Sequence, residues 1–285
     1  MSSEASSPFK SYEILYRLGV KLETLLPLRI GIGREDRVTE PDAPVIKDAY
    51  NRPVIPGSTL KGFFRANSER ILNSFLDEDK VRNIIEGIFG DPNHHASCIF
   101  FGDLKAVKAE LDARKHIMIN PETGAVQRLF EVEFVKEGAI FQGESLTARN
   151  ISPCLLGLLY AVKTLTNEQL LRIGGFKSRG YGAVKMEFDK ISIIFPGVHV
   201  DKLYEGITLT PSVAPSPEGR GPVKFKVSDG VARIEEHGRT VEFRVEARAD
   251  PSHFGARMES VEAEKMLGEL AGVLETALKA WVGGA

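Results

Sequence analysis

Two cysteines and one tryptophan in 285 residues exclude several classes of protein at once. Cys98 and Cys154 are too few for a disulfide framework, and two thiols cannot make a four-thiolate zinc site. Both stand in apolar surroundings, which reads as a pair of buried thiols in a reducing compartment. No apolar run approaches the roughly 20 residues of a membrane span, and residues 1–10 lack the apolar stretch of a signal peptide. The expected location is the cytoplasm, with no membrane partner. A charge excess is also missing. Lys plus Arg total 37 against 39 Asp plus Glu, a net −2, so a surface for a polyanion has to be a local patch.

What is present is an ordinary globular composition, 42% apolar and 27% charged, long enough for one large domain or two small ones. Tyr12, Ile14, Tyr16, Leu18 and Val20 alternate as a first strand. Pro56-Gly57-Ser58 opens a helix with Ser58 as its cap, and Leu60, Phe63, Phe64, Ile71, Leu72 and Phe75 form its apolar stripe. A short helix over 81–88 and a strand over 98–101 follow. Strands at 116–118 and 129–135 flank the turn Asn120-Pro-Glu-Thr-Gly124. A second main helix covers 153–165, with Thr166 and Gln169 as a capping box for a short continuation. A strand then runs through Phe188 and Ile194. This order, β, loop, α, β, hairpin, α, Gly-rich loop, β, is an α+β pattern of the split βαβ kind. Residues 10–195 form this core with insertions, and 196–222 a Pro/Gly-rich linker or loop. Residues 223–285, three short strands and an amphipathic helix capped by Ser260, either make an appended subdomain or complete the core.

The stretch from Ile173 to Val184 carries the most chemistry. Gly174, Gly175, Gly180 and Gly182 surround Lys177, Ser178 and Arg179 just ahead of a strand. Glycine permits positive φ, and free N–H groups in such a turn make an anion-binding nest. A P-loop is excluded because Phe176, not glycine, precedes Lys177-Ser178, and a dinucleotide fingerprint would open a helix rather than a strand. A Gly-rich bulge made only for geometry stays open beside the anion site. A second group is Gly57, Ser58, Lys61 and Arg65. Helix N-termini favour anions, and Lys61 and Arg65 share a face at i, i+4. Arg29, with Gly31 and Gly33, can join the same phosphate track.

Four segments occur together in a telling order: DAPVIKDAYNRPVIPGSTLKGFFR (42–65), FFGD (100–103), INPETGAVQRLFEVEFVKEGAIF (119–141) and GGFKSRGYGAV (174–184). Over residues 12–194 the chain resembles the RAMP superfamily, in particular the backbone subunits of type III (Csm/Cmr-type) CRISPR effector complexes. The resemblance implies a ferredoxin-like (RRM-like) core with insertions, including a β-hairpin thumb that splays one nucleotide at intervals. It implies repeated copies lining a crRNA guide, with other Cas subunits and a target RNA as partners. It also implies that the Gly-rich loop and the start of the first helix hold the guide backbone. An aspartate before the Pro-Val-Ile segment would cut target RNA with Mg²⁺ or another divalent cation, and the matching residue is Asp42. Asp36 is its competitor in the same loop, while Asp48 reads as a turn residue.

By their own chemistry these residues leave alternatives open. A loop aspartate can hold Mg²⁺ or orient a 2′-hydroxyl, but it is also a common turn residue. The second reading is a crRNA-binding scaffold without nuclease activity. A third is a metal-independent repeat-processing RNase using His94, His95 or His116. A single-strand RNA module of another kind ranks below these, since no RRM aromatic signature falls on an expected strand. The thumb spans about His116 to Phe141, with Ile117, Met118 and Ile119 able to wedge between bases or to pack in a core.

Overall fold

The computed structural model describes residues 11–31, 43–91, 96–215 and 221–283. The first half contains β1 (Leu15–Thr24), β2 (Val54–Ile55), α1 (Gly57–Leu72), α2 (Glu78–Phe89), β3 (Ile99–Phe101), β4 (Leu104–Lys108), β5 (Leu111–Ile119), β6 (Val126–Val135) and β7 (Ile140–Arg149). It is followed by α3 (Gly157–Asn167), β8 (Val184–Pro196), α4 (Val200–Glu205) and β9 (Ile207–Leu209). The remainder is β10 (Val223–Ser228), β11 (Val231–Glu236), β12 (Arg239–Arg244), β13 (Glu246–Asp250), β14 (Gly255–Ser260) and α5 (Ala263–Gly283).

The main sheet runs in the order β13-β14-β8-β1-β7-β4-β2, with β3 also paired to β7. Its centre, β8-β1-β7-β4, with α1 and α3 as the crossovers, is the antiparallel split-βαβ arrangement of a ferredoxin-like core. β1 is central because its alternation buries Tyr16, Leu18 and Leu22 completely. At Gly19 two residues on each neighbouring strand oppose one on β1, since Leu18 and Val20 face Leu146 and Gly143 on one side and Ile191 and Phe188 on the other. The bulges keep Phe188 and Ile191 on the core face while Asp189 and Lys190 turn outward. Lys190 pairs with Glu144 and Gln142 with Asp189, so polar side chains close over the glycine.

The helices α1, α3 and α5 line up on one face of this sheet. Leu60, Phe63, Phe64 and Leu72 of α1 are buried, and Phe64 stacks on Phe101 of β3 at 5.3 Å. Each such side chain contributes about 1.5–3 kcal/mol. Asp77 caps α2 by accepting from the Lys80 N–H at 3.0 Å. Cys98 and Cys154 are free and buried.

Several local expectations change. α1 begins two residues early, at Gly57 with Pro56 in the cap position, and Ser58 makes no cap; the Gly57 N–H donates instead to Asp103 of the FFGD turn at 2.8 Å. Phe75 lies beyond the helix and is exposed. Thr166 stays inside α3, bonded back to the Val162 carbonyl at 2.7 Å, so no capping box forms and the helix ends at Asn167. Asn167 instead clamps the N–H and carbonyl of Met186, fixing the start of β8. Phe141 belongs to β7 and is buried in the main sheet, so the hairpin is shorter at that end and consists of β5 and β6.

β5 and β6 form a two-stranded sheet of their own. Its base is held by the bridges Leu28–Val135 and Ala43–Val132. Beyond the main sheet, β9–β12 make a four-stranded antiparallel sheet with Val223, Phe225 and Val227 inward, and Phe225 meets Phe195 edge-on at 5.1 Å. The tail therefore does two things: β13 and β14 widen the main sheet through β8, and β9–β12 add a second one. α4 and β9 occupy part of residues 196–222.

Candidate functional site

A cleft of about 420 Å³ opens where three segments converge. One wall is the turn after β1, with Arg29, Ile30 and Gly31; a second is the α1 face of Thr59, Gly62, Ala66 and Arg70; the third is Gly174, Gly175 and Lys177. Gly62 and Ala66 leave the α1 wall low, and a Cβ added at Gly62 would meet nothing within 4 Å.

The Gly-rich loop is fastened to the first wall through its backbone. The Gly175 N–H donates to the Arg29 carbonyl at 2.8 Å, and the Gly182 N–H to the Pro27 carbonyl at 2.8 Å. Gly174 has φ +85°, and a Cβ there would lie 2.3 Å from the Arg29 carbonyl oxygen. Both the left-handed backbone and the close approach demand glycine. Gly174→Ala is expected to lower stability by about 1–3 kcal/mol from the backbone conformation alone. Urea unfolding of the variant beside the parent checks this, and an unchanged midpoint contradicts the close approach.

Phe176 occupies the centre of the loop, itself in the left-handed region at φ 54°. The Arg29 and Arg179 guanidinium groups each lie 5.0 Å from its ring centroid. His116 of β5 stacks on it at 5.7 Å and Phe130 of β6 at 6.4 Å. His116 Nε2 also meets the Tyr181 hydroxyl at 3.1 Å. Burial, reinforced by Arg179 and Arg114, holds the His116 imidazole below its ordinary value. A neutral ring suits a position beside two cations. The hairpin thus docks on the cation-bearing loop through an aromatic cluster. Its opposite face, where Ile117 pairs with Leu129 and Ile119 with Val126, is exposed.

The described lining of the cleft carries three cations, Arg29, Arg70 and Lys177. Many cations elsewhere are paired with carboxylates, among them Lys47 with Glu133, Arg52 with Asp48, Arg233 with Glu242 and Arg257 with Asp250. Among the described residues Arg29, Lys61, Arg65, Arg70, Lys177 and Arg179 have no such partner, and no carboxylate lines the cleft. The Arg29 Nε is buried without a hydrogen-bond acceptor, and burial pulls its guanidinium below the usual value. An anionic ligand would relieve a half-buried cation in that state.

The residues expected from the sequence separate into three groups. Arg29, Gly174, Gly175 and Lys177 line the cleft, while Ser178, Arg179 and Gly180 form the exposed outer part of the same loop. Lys61 and Arg65 sit on another face of α1. Arg65 donates to the Gly90 carbonyl at 2.6 Å, tying α1 to the end of α2, and burial beside Arg65 lowers the Lys61 ammonium. Gly57 is buried, its N–H taken by Asp103, and Ser58 is exposed beside it. Asp48 accepts from the Tyr50 and Arg52 N–H groups and from the Arg52 guanidinium, which makes it the turn residue it reads as. Asp42, Asp36, Gly33, His94 and His95 lie outside the described residues. Thr59, Gly62, Ala66 and Arg70 were not foreseen, although their spacing of three and four places them on one helix face.

A sequence profile described as the RAMP superfamily matches residues 21–185. Among solved structures, the chain is similar to one from a "Cryo-EM structure of the Type III-B Cmr-beta bound to cognate target RNA". Identity is 17% and the TM-score 0.47, with 64% of this chain and 61% of that one covered, so the match spans less than two thirds of the other's length. No curated protein sequence matches.

Proposed function

Because the chain belongs to the RAMP superfamily, we propose that it binds guide RNA as a backbone subunit of a type III CRISPR effector complex. The cleft takes the sugar–phosphate backbone, and the docked hairpin stands beside the strand so bound. The observation that carries this reading is the convergence of Arg29, Arg70 and Lys177 on a cleft whose described lining holds no carboxylate, with the Arg29 Nε buried and without an acceptor. Partners in this reading are the crRNA, a target RNA, other Cas subunits and further copies of this chain.

Cleavage of the target through Asp42 with a divalent cation is the second half of the proposal, and its support is the position of Asp42 in the family pattern. The described lining of the cleft offers no carboxylate, so a metal there takes its protein ligand from Asp42 or Asp36 and the remainder from phosphate and water. The alternative is a scaffold that binds RNA without cutting it.

Binding is tested by fluorescence anisotropy of the whole chain with single-stranded RNAs of unrelated sequence across a salt titration. The expected result is similar affinity for each, falling linearly on a log–log plot, because phosphate contacts carry charge but no base information. Arg179→Ala should weaken all of them alike. Salt-independent affinity, or an Arg179→Ala variant that binds like the parent at moderate salt, refutes the phosphate track.

A further inference from the structure

The four-stranded sheet meets the core at a buried polar cluster that RNA binding does not use. Glu236, the last residue of β11, is 5% exposed. Its Oε2 accepts from the Cys154 N–H at 3.0 Å, and its Oε1 accepts the Ser152 hydroxyl. The Cys154 Sγ lies 3.1 Å from the Ser152 Oγ. His237 and Gly238, with φ 49° and 72°, make the tight turn into β12, and this turn brings His237 Nε2 to 3.9 Å from Glu236 Oε1. Thiol, carboxylate and imidazole each offer one donor atom, all within 4.8 Å of one another.

The cluster gathers acidic donors around a single basic one. Its members are acids: Cys154 and Glu236, with the fully buried Tyr16 hydroxyl close enough to feel both. Among the described residues no Lys or Arg pairs with Glu236, and His237 is its only basic neighbour. Each carboxylate oxygen has two lone pairs, so the bonds from Ser152 and Cys154 leave acceptor capacity on both. A sulfur, a nitrogen and an oxygen donor together suit zinc or another borderline-soft divalent ion, while Mg²⁺ takes oxygen ligands only.

We propose that Cys154, Glu236 and His237 form a structural zinc-type site that fastens the β11–β12 turn to the start of the second crossover helix. Water or the Ser152 hydroxyl completes a tetrahedron. On binding, the Cys154 thiol releases its proton to solvent and the thiolate becomes the ligand. The His237 side chain, 20% exposed, is the route of entry. Unlike the divalent cation proposed for Asp42, this ion is held entirely by the chain and needs no RNA.

The test uses Co²⁺ as the probe, added to the whole chain under reducing conditions without RNA. One ion per chain is expected, with the strong visible bands of tetrahedral cobalt, a thiolate-to-cobalt charge-transfer band, and loss of both on adding Zn²⁺. Cys154→Ser should remove the charge-transfer band. His237→Ala, at a surface turn, should keep the metal-free melting temperature while weakening Co²⁺ about tenfold or more. Zn²⁺ should raise the melting temperature of the parent and not of His237→Ala. A purely octahedral cobalt spectrum, a charge-transfer band that survives Cys154→Ser, or equal zinc stabilisation of both proteins overturns the site.

Discussion

A complex reconstituted with Asp42→Ala is expected to load guide RNA normally and to lose target cleavage in Mg²⁺, by on the order of 10²–10⁴-fold. The described residues on either side of Asp42 give the reason for choosing it. Gly31 lines the cleft and bridges to Val45, and Ala43, next in the chain after Asp42, bridges to Val132 of the hairpin. Gly31 neighbours Arg29 of the cleft wall, and Ala43 is tied to the base of the hairpin. Asp48→Ala is the control, because Asp48 is committed to Arg52 and its own turn. Cleavage by Asp42→Ala equal to the parent's, with loading unchanged, leaves the scaffold reading or transfers the chemistry to Asp36, which the same assay with Asp36→Ala decides.

The second large effect concerns affinity. Replacing Arg29, Arg70 and Lys177 together by Ala removes the cations that line all three walls of the cleft. For single-stranded RNA each phosphate contact contributes about 0.7 to the log–log salt slope, so the slope should flatten by about 2 and affinity near physiological salt should fall roughly fifty-fold. Replacing Arg70 and Lys177 should cost little stability, since neither has a carboxylate partner to abandon and Arg70 bonds to the Asn67 amide at 3.1 Å. Replacing Arg29 gives up its contact with Phe176, so the folded fraction of the triple variant is checked by circular dichroism before binding is read. An unchanged slope would mean that the anion binds elsewhere. A triple replacement of the paired cations Lys202, Arg233 and Lys279 should leave the slope alone, because each already faces a carboxylate.

Much of this was readable from the sequence where one physical signal dominated. The alternation of Tyr16, Leu18, Val20 and Leu22 announces a strand, and the crowding of glycine around Lys177 and Arg179 announces a turn with free N–H groups. The family pattern then supplied the ferredoxin-like core and the hairpin. What stayed hidden depends on distant partners. Nothing near Gly57 reveals that its N–H is taken by Asp103, 46 residues on. The polar first half of β5 has no apolar period, since it pairs with β6 while exposed on both faces. The bulges opposite Gly19 break the alternation of β8 in a way that only the sheet explains. Within the cleft, Arg70 carries no local mark. Its role comes from Gly62 and Ala66 standing below it on the same helix face, and from the loop that α3 and β8 hold opposite.

The order of the main sheet has a consequence for how copies of this chain can pack. One end is β2, two residues long and entered through Pro53, which has no N–H to offer a neighbour. The other is β13, where Glu246 and Arg248 stand exposed on the open rim and Arg248 is held by Glu259. A short rim and a charged one both discourage strand addition. Growth of a polymer by continuing the sheet from copy to copy is therefore disfavoured at both ends. In the proposed assembly, successive copies would meet through loops, helix faces and the projecting hairpin, a mode of contact that can follow a flexible strand of RNA without locking the chains into a fibril.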